Sequence, residues 1–416
     1  MENVSAHRDL TELVKRSALE AGFDLAGVAS FSDFPELRHF SDWIQRGLHG
    51  EMRYLERRNH RGELTRISAQ QSFPWAHSIV VCALNYNTLP VSRSPLPAAT
   101  GMGGAEAEVS ENAERETDNG SSGWISRYAW SARDYHHVVM ERLRRVEAQL
   151  HEAAGTPIQT RCYVDTGPLL ERVYARYAGI GWVGKNTCLI NQQLGSWLFL
   201  GLILTSLKLD SGSALPIGEP CLAPDLPAPD RCGTCTRCLD ACPTAAFTAP
   251  RQLDATRCIS YLTIEKRGDI PENLRALMGR HVFGCDICQD VCPWNGKSPV
   301  SMLPELQPRP GLVNPALEWL ATIGEQEFQE AFRESPVKRA KRSGLRRNAA
   351  IATGNCGEPP RFLLLLRQLA QDADETVAKT ARWAMKEATS HKQPAASQKI
   401  ENPLTAEDAK ARRGNL

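Results

Sequence analysis

The sequence lacks the features that would place the chain in a membrane or outside the cell. Its first residues, MENVSAHRDLTEL, are polar and charged and contain no signal-peptide core. The longest apolar run, Trp197 to Thr205, is far shorter than the ~18 residues that a membrane helix requires. The formal net charge is only +1, so no global excess of positive charge argues for a nucleic-acid partner. We therefore expect a cytoplasmic protein without membrane association.

Motifs that bind nucleotides are also absent. The chain has no Walker A lysine pattern and no G-x-G-x-x-G that opens a helix. A glycine-rich stretch, GIGWVGKN, occupies residues 179–186, and glycines at such spacing allow the backbone to approach a ligand closely. Spacing alone favours a helix C-cap followed by a tight turn, so this stretch does not define a site by itself.

Cysteines, by contrast, are concentrated in one stretch between Arg231 and Trp294. The first run there has the spacing C-x2-C-x2-C-x3-C followed by Pro, and the second has C-x2-C-x3-C followed by Pro. The first run comprises Cys232, Cys235, Cys238 and Cys242, the second comprises Cys285, Cys288 and Cys292, and Cys258 stands alone between them. These eight cysteines match the number of thiolates that two [4Fe–4S] clusters require.

The same spacing predicts how the ligands are shared between the clusters. Three thiolates can surround one face of a cubane, but the chain between them is too short to reach the fourth corner, so the last cysteine of each run ligates the other cluster. Cluster one is predicted to bind Cys232, Cys235, Cys238 and Cys292, and cluster two Cys242, Cys258, Cys285 and Cys288. A zinc ribbon would not need the third cysteine or the proline, and disulfides would need an oxidising compartment.

The apolar pattern indicates helices and strands before this stretch. Residues 7–22 have helical spacing, residues 77–87 are typical of a central strand, and residues 195–207 are typical of one long strand or a strand pair. Asp134 is placed to cap a helix that ends at Gly155. The triplet that starts at Asp134 begins like the cobalamin motif D-x-H-x-x-G, but valine occupies the glycine position, which favours the helix cap.

Two other segments differ from this pattern. Residues 89–123 are rich in Pro, Ser, Gly and acidic residues and are predicted to be a flexible insertion. Six basic residues crowd the segment 336–355: Lys338, Arg339, Lys341, Arg342, Arg346 and Arg347. The amphipathic segments 362–370 and 374–388 follow, and stacked helix pairs of this kind suggest a short HEAT-type solenoid. A basic row at a helix start suits phosphates, and a plain helical appendage with a solvated charged face is the alternative.

Taken together, several of these segments resemble the epoxyqueuosine reductase family. The segments that carry the resemblance are ISRYAWSARDYH, YVDTGPLLER, GIGWVGKN, CGTCTRCLDACPT, CISYLTIEK and FGCDICQDVCPWN. The resemblance extends over most of the chain and is interrupted mainly by residues 89–123. Members of this family perform the last step of queuosine synthesis on tRNA, and the core of the family is similar to that of the cobalamin-dependent reductive dehalogenases.

The resemblance implies a three-part fold and two kinds of cofactor. It implies an α/β cobalamin-binding catalytic domain at residues 1–218, a bacterial ferredoxin-type domain with two [4Fe–4S] clusters at 219–300, a HEAT-like helical tRNA-binding domain at 301–390 and a disordered tail at 391–416. The cobalamin would be held without a histidine ligand. The partners would be tRNA with a queuosine-type anticodon arm and an external low-potential electron donor, and the protein would act as a monomer.

The resemblance also implies roles for individual residues. Asp165 falls on the family's proton donor, and Lys266 falls on a position that contacts tRNA. The residues at or near cobalamin-contacting positions are Arg57, Tyr128, Asp165, Leu189, Leu200, Ser260 and Asp286, with Arg58, Arg61 and Arg66 as close alternatives to Arg57. Arg346 and Arg347 of the basic row are expected to bind tRNA phosphates.

The implied reaction and its alternatives make different demands on the chain. Reducing an epoxide to an alkene needs two electrons and two protons, and Asp165 would supply a proton if its carboxyl is neutral near neutral pH. The plain alternative for Asp165 is a turn residue bonded to the backbone of Thr166 and Gly167. For the whole chain, a dehalogenase-like corrinoid enzyme acting on a small molecule would have no use for residues 336–390. A two-cluster electron carrier would leave the N-terminal half unused.

Overall fold

A computed structural model describes residues 2–88, 120–215, 226–309, 311–356 and 359–389. The strands are β1 Leu25–Ser30, β2 Ser78–Asn85, β3 Trp124–Ile125, β4 Thr160–Tyr163, β5 Trp182–Val183, β6 Leu189–Ile190, β7 Leu198–Thr205, β8 Gly212–Leu215, β9 Phe247–Ala249, β10 Gln252–Leu253 and β11 His281–Phe283. The helices are α1 Glu2–Glu20, α2 Leu37–Gln45, α3 Ala69–Ser72, α4 Tyr135–Ala154, α5 Glu171–Tyr177, α6 Arg237–Asp240, α7 Ile259–Ile264, α8 Glu272–Arg275, α9 Ile287–Asp290, α10 Leu317–Thr322, α11 Glu325–Ala331, α12 Lys341–Gly354, α13 Leu363–Leu369 and α14 Glu375–Thr389. In this part of the chain no helix combines the length and the apolar character needed to span a bilayer.

One antiparallel sheet organises the N-terminal half. Its strand order is β4-β7-β2-β1-β8, and each neighbouring pair runs antiparallel. β2 and β7 pair along their whole length, from Ser78 opposite Thr205 to Asn85 opposite Leu198. Every residue of β2 is buried, as expected for an apolar strand that is covered on both faces. The prediction of a central strand at 77–87 is confirmed, and residues 195–207 contain one strand rather than a pair.

Helices cover both faces of this sheet. Alternate residues of β2 belong to two core clusters, one shared with α1 and α4 and the other shared with α5. At Gly27 in β1 the backbone approaches α5 so closely that an added Cβ would lie 2.0 Å from the carbonyl oxygen of Ala178. This close contact fixes the C-terminal end of α5 on the sheet, so that its N-terminal end, at Glu171, is held beside the end of β4.

The predicted capped helix is confirmed. The Asp134 side chain accepts a hydrogen bond from the backbone N–H of His136 at 2.9 Å, and α4 ends at Gly155, whose φ is +61°. Most of the insertion predicted at 89–123 lies outside the described residues, namely residues 89–119. Its last four residues, 120–123, are part of the described fold, because the Gly123 N–H donates to the Pro315 carbonyl at 2.8 Å.

The cysteine-rich region is built from short elements placed close to its ligands. α6 contains Cys238 and ends two residues before Cys242, and α9 contains Cys288 and ends two residues before Cys292. β9 and β10 form a hairpin between the two runs. β11 pairs in parallel with β3, which joins this region to the segment that precedes α4.

Helices α10 to α14 form the C-terminal part of the described chain. α12 packs against α10 and α14, and α13 packs against α14. Their buried residues share one hydrophobic core with α7 and β11 of the cysteine-rich region. A single core therefore crosses the predicted boundary at residue 300. The predicted tail at 391–416 lies outside the described residues.

Candidate active site

The cysteines predicted as cluster ligands come together in two groups. Cys238 lies within electrostatic reach of Cys232, Cys235 and Cys292, the set predicted for cluster one. Cys285 lies within such reach of Cys258 and Cys242, and Cys288 lies beside Cys285 and Cys258, which is the set predicted for cluster two. Among the described residues no group of His, Cys, Asp and Glu side chains is arranged to hold a single metal ion. Two groups of four thiols are the donor set that two cubanes require, so these residues fit two clusters.

The two groups differ in depth and in their hydrogen bonds. Cys258, Cys285 and Cys288 have more protein around them than Cys238 has, although all four are half-buried. The indole N–H of Trp182 donates to Cys232 Sγ at 3.4 Å, which is a contact to the shallower group. The backbone N–H of Ala246 donates to Cys242 Sγ at 3.4 Å in the deeper group. Hydrogen bonds to sulfur and solvent exposure are the quantities that set cubane potentials, so the two clusters would differ in potential.

Asp165 lies in the turn between β4 and α5. Its φ is +54°, a left-handed conformation that non-glycine residues seldom adopt. The hydroxyl group of Tyr135 donates to Asp165 Oδ2, and Nε2 of His136 lies 3.8 Å from the same oxygen. About half of the Asp165 side chain, 51%, is exposed, so the carboxyl faces open space on one side and the start of α4 on the other.

Tyr135 and His136 are held in place by neighbours on both sides. The ring of Tyr135 stacks on Phe199 of β7, with centroids 4.2 Å apart and planes 6° from parallel. His136 Nδ1 bonds to Asp134 Oδ1 at 2.7 Å. Burial, followed by the charge of Asp165, raises the pKa of Tyr135 well above its usual range, so this phenol is a hydrogen-bond donor at neutral pH. Both side chains are thereby aimed at Asp165.

Glu171, the first residue of α5, is a second carboxyl group at this site. It lies within electrostatic reach of Asp165. Its Oε1 atom is shielded from solvent and has no hydrogen-bond partner among the described residues. Burial, followed by the negative charge of Asp165, raises the pKa of Glu171 well above its usual range. This environment therefore favours the protonated form of the Glu171 carboxyl group.

Tyr128 connects the Asp165 turn with the loop of the deeper cysteine group. Its ring centroid lies 6.1 Å from that of Tyr135, and burial, followed by the charges of Asp165 and Asp286, raises its pKa well above the usual range. Asp286 follows Cys285 and is almost completely buried. Its carboxylate accepts hydrogen bonds from the Ser126 hydroxyl and from the Arg127 backbone N–H, the latter at 2.8 Å. The cysteine loop is thus bonded to the turn that carries Tyr128.

Not all of the remaining residues predicted near cobalamin lie close to Asp165. Leu200, in β7, lies beyond the last residue of β7 that pairs with β4, next to the Tyr135 stacking partner. Leu189 lies in β6 with its side chain buried in the core of the sheet. Ser260 lies in the first turn of α7, two residues after Cys258. Arg57 is exposed and bonds to Thr65 only through its backbone carbonyl.

Arg66, one of the alternatives to Arg57, is the arginine that reaches the Asp165 turn. Its Nη1 donates to the carbonyl oxygens of Gly167 at 2.5 Å and Leu169 at 3.1 Å. It also lies within electrostatic reach of Asp165 and of Tyr54, an exposed aromatic residue. The structure therefore favours Arg66 over Arg57 as the basic residue of the site.

The structure corrects the assignment of Arg346 and Arg347 to a tRNA-binding surface. Arg347 is 1% exposed, and it donates to the carbonyl oxygens of Lys266 at 2.9 Å, Gly268 at 2.7 Å and Leu262 at 2.8 Å. Arg346 donates to the Ala321 carbonyl at 2.9 Å and pairs with Asp372 at 2.5 Å. Both guanidinium groups are used within the fold because α12 turns this side toward the core. They are structural rather than phosphate-binding residues.

Other residues of the basic row remain at the surface. Lys341 is exposed, and Arg339 is exposed while it pairs with Glu265 at 2.9 Å. The Arg339 guanidinium also lies 5.2 Å from the centroid of the Tyr54 ring. Lys266, predicted to contact tRNA, pairs with the Glu51 carboxylate. These contacts place a basic surface next to Tyr54. Arg66 lies within electrostatic reach of both Tyr54 and Asp165, so it stands between this surface and the Asp165 turn.

Comparison with known proteins adds independent evidence on this chain. The family model described as a 4Fe-4S double cluster binding domain matches residues 231–295, and the model described as "Epoxyqueuosine reductase QueG, DUF1730" matches residues 66–166. The epoxyqueuosine reductase of Xanthomonas campestris pv. campestris is 34% identical and aligns over 92% of this chain and 99% of its own length. That of Synechocystis is 37% identical over 78% of this chain and 98% of its own. The chain belongs to the epoxyqueuosine reductase family.

Solved structures of the epoxyqueuosine reductase family extend the similarity to the fold. An epoxyqueuosine reductase in complex with an epoxyqueuosine-modified tRNA-Tyr stem loop has a TM-score of 0.73 and 29% identity, with 98% of this chain and 95% of the other covered. The Streptococcus thermophilus enzyme gives a TM-score of 0.71 and 25% identity, with 97% and 93% covered. This chain is thus a member of an oxidoreductase family and carries the double [4Fe–4S] domain of that family.

Three groups of this site have no role in the sequence-based prediction. The pattern at Tyr135 and His136 predicts only a helix start, although their position directly after Asp134 in a segment shared with the epoxyqueuosine reductase family is a usable signal. Glu171 belongs to the YVDTGPLLER segment, in which the prediction gives it no role of its own. No pattern could have joined these residues to Asp165, because α4 and α5 meet there only through the order of the sheet.

Proposed function

We propose that this protein reduces epoxyqueuosine to queuosine at the wobble position of tRNA, with electrons supplied through two [4Fe–4S] clusters and a cobalamin. The observation that carries this proposal is the link from the deeper cysteine group to Asp165. Asp286 follows Cys285 and bonds to the turn that carries Tyr128, and Tyr128 lies within electrostatic reach of both Asp286 and Asp165. A redox cofactor between these groups would have an electron source on one side and an acid on the other.

The residues around this position fit a large cofactor with a flat face. Tyr128, Leu200, Ser260 and Asp286 would line its pocket. When bound, cobalamin supplies a strongly reducing cobalt centre, which side chains cannot provide.

We expect the cobalamin to be held without a histidine ligand. His136 is the histidine of the incomplete D-x-H-x-x-G motif, and its Nδ1 bonds to Asp134 at the helix cap. Its Nε2 faces Asp165 at 3.8 Å. Both ring nitrogens are thus directed at carboxylates, which supports a role in orienting Asp165 rather than in binding a metal.

Asp165 is the proposed proton donor. The alkoxide that leaves when an epoxide C–O bond breaks is a strong base, so a proton must arrive as the bond breaks. The exposed side of the Asp165 carboxyl faces the space where the nucleoside would enter, and Tyr135 holds its other side. A bound cofactor and substrate would cover the exposed side and favour the neutral acid.

The tRNA would bind to the surface formed by Lys338, Arg339, Lys341 and Tyr54. Lysine and arginine at a helix start suit backbone phosphates, and an exposed aromatic ring suits an unstacked base. The wobble base has to leave its stack to reach Asp165. Tyr54 lies within electrostatic reach of Arg66, and we propose that the base passes these two side chains on its way to Asp165. A HEAT-like arrangement of α10 to α14 is part of this proposal, as is the tRNA contact of Lys266.

The proposed reaction takes place in the cytoplasm, on a monomer that receives electrons from an external low-potential carrier. Electrons would enter at cluster one, whose Cys238 is less enclosed, and pass to cluster two beside Tyr128. The three predicted domain boundaries, after residues 218, 300 and 390, remain part of this proposal.

Anaerobic reconstitution tests the proposal. Protein that carries both clusters is given cobalamin, dithionite and tRNA with epoxyqueuosine, and nucleosides are measured by mass spectrometry. We expect about eight iron atoms per chain, retained corrin absorption and cobalamin-dependent formation of queuosine. Iron–sulfur absorption without corrin retention would instead support an electron carrier. Conversion of a halogenated aromatic compound with untouched tRNA would support a dehalogenase-like enzyme.

A further inference from the structure

The residues around the first cysteine run are exposed, whereas those next to Cys285 in the second run are buried. The half-buried cysteines of the first run have exposed neighbours, which are Arg231, Gly233, Thr234, Thr236 and Arg237. In the second run, Gly284 and Asp286 stand on either side of Cys285, and both are buried. A molecule in solution can therefore approach predicted cluster one more closely than cluster two.

Cys232 also contacts a small apolar cluster inside the protein. Trp182 is almost completely buried, and its indole N–H donates to Cys232 Sγ at 3.4 Å. Its ring packs edge-on against that of Trp294, with centroids 5.1 Å apart, and Cys292 belongs to the same cluster. This packing holds the first run in place and leaves the turn from 231 to 237 toward solvent.

Basic side chains are gathered at this exposed turn. Lys185 Nζ donates to the Gly233 carbonyl at 2.7 Å, and the backbone N–H of Arg251 donates to the Lys185 carbonyl at 2.9 Å. Together with the two arginines of the turn they form what we call the cluster-one basic surface, which comprises Lys185, Arg231, Arg237 and Arg251. The whole chain has a formal net charge of only +1, so this surface is a local concentration of positive charge.

Two acidic residues lie on the same surface, and both are used within the fold. Asp230 pairs with Arg251, and its Oδ1 accepts the Cys232 backbone N–H at 2.9 Å. Asp240 accepts a hydrogen bond from the Thr236 hydroxyl at 2.7 Å. Four basic side chains against these two carboxylates leave the cluster-one basic surface with a net positive charge.

We propose that the cluster-one basic surface is the docking site of the electron donor, and that this donor is an acidic protein with a low-potential redox group. This inference rests on the proposed function, which requires an external carrier. Opposite charges speed the encounter of two proteins, which suits a partner that must arrive repeatedly. Arg237 is exposed and has no acidic partner among the residues that the structure describes, so it is placed to meet a carboxylate of the carrier.

Each docking event transfers one electron. The carrier is oxidised by one electron, cluster one is reduced by one, and the two proteins separate, so two events supply the two electrons that one epoxide reduction consumes. A transient contact of this kind needs only a small interface. A tRNA is a less suitable occupant, because the Asp165 turn, where its base must arrive, is linked to the loop of cluster two rather than to that of cluster one.

Anaerobic stopped-flow spectroscopy tests this docking site. Protein that carries both clusters is mixed with fully reduced flavodoxin, an acidic flavoprotein, and formation of the flavin semiquinone is followed. In the double variant Arg231→Gln, Arg237→Gln we expect the second-order rate constant to fall about tenfold at low salt. The difference should vanish at high salt, where the charges are screened. Dithionite, which needs no docking, should reduce the variant and the wild type at the same rate.

The matched control is the double variant Arg144→Gln, Arg145→Gln. These two exposed arginines lie on α4, outside the cluster-one basic surface, and their loss changes the net charge by the same amount. The control should keep the wild-type rate constant for flavodoxin. Iron content shows whether each variant retains its clusters, and Arg237→Gln alone replaces the double variant if the latter loses iron.

Three outcomes would overturn the docking site: a wild-type rate constant in the Arg231→Gln, Arg237→Gln protein, an equal loss in the control, or weakened tRNA binding with an unchanged flavodoxin rate. The last would assign the surface to nucleic acid. None of these measurements uses epoxyqueuosine, so they are independent of the proposed function. A wild type that takes electrons through this surface but forms no queuosine would refute the proposed function and leave the docking site standing.

Discussion

The cluster-binding region and the Asp165 pocket place their chemical groups in different ways. The cluster ligands all lie between Cys232 and Cys292, and their spacing along the chain already determines how they group. The Asp165 pocket takes Arg66, Tyr135 and Glu171 from three distant segments, which meet because β4, β7 and the helices around them are packed in a fixed order. The first region depends on local sequence, and the second depends on the whole sheet.

This difference predicts how each region fails. Substitution of a cysteine ligand in the cluster region should remove a cluster. It should leave the geometry of the Asp165 pocket unchanged, because the sheet determines that geometry. A substitution in the pocket should remove one chemical function and leave both clusters in place. The following variants test this separation, from the largest expected effect to the smallest.

Cys285→Ser should abolish activity and remove cluster two. The iron content should fall from about eight to about four atoms per chain, because a cubane with three thiolates and a buried hydroxyl is unstable. Iron analysis and electron paramagnetic resonance of the reduced protein measure this. Cys356→Ser is the control: Cys356 is buried and its thiol donates to the Thr353 carbonyl at 3.0 Å, far from either run in sequence. A Cys285→Ser protein with a full iron complement would refute the ligand assignment.

Asp165→Asn should lower turnover by about 10²- to 10⁴-fold while iron content and corrin binding stay at wild-type levels. The amide preserves the shape of the side chain and removes the transferable proton. Single-turnover formation of queuosine measures the loss. Asp42→Asn, at an exposed residue 3.6 Å from Arg46, should behave as the wild type. Wild-type turnover by Asp165→Asn would exclude this residue from proton transfer.

Arg347→Ala should destabilise the fold by about 3 kcal/mol, because a buried guanidinium group that donates to three carbonyl oxygens is lost. The free energy of unfolding in urea measures the effect. Lys341→Ala, on the exposed part of the same basic row, should change it by less than about 0.5 kcal/mol. Equal stabilities of the two variants would contradict the division of the row into buried and exposed halves.

Replacing Lys338 and Lys341 together by alanine should weaken tRNA binding without changing stability. Each lysine that contacts a phosphate contributes about 1 to the slope of log affinity against log salt, so the slope should fall by about 2. Filter binding over a range of salt concentrations measures it. A slope equal to that of the wild type would place the tRNA on a different surface.

His136→Gln should give the smallest effect, a change in the pH dependence of stability. Burial lowers the pKa of His136, but the hydrogen bond and charge of Asp134 and the charge of Asp165 outweigh burial, so the pKa is raised. Protonated His136 therefore stabilises the fold below its ordinary pKa of about 6.5, and this contribution is lost as the pH rises through the folded pKa. Unfolding free energies measured between pH 5 and 9 should vary less in His136→Gln. The exposed His39→Gln variant should keep the wild-type profile.

Much of this arrangement can be predicted from local sequence, and the limits have physical causes. The cysteine spacing, the Asp134 cap and the buried strand at 77–87 depend on neighbouring residues, and the structure agrees with them. The basic row is different: Arg346, Arg347 and Lys341 look alike in sequence, but helix α12 directs two of them inward and one outward. The position of Glu171 near Asp165 depends on the packing of α5 against Gly27 of β1, which is distant in sequence. No local pattern contains this information.

The hydrogen bonds of Asp286 have a consequence for the loading of cofactors. Because the carboxylate between Cys285 and Cys288 is bonded to Ser126 and Arg127, the protein itself holds this cysteine loop against the turn that carries Tyr128. We therefore expect that turn to stay in place in a chain that lacks its second cubane, so that iron starvation would remove the electron route without dismantling the wall of the corrin pocket.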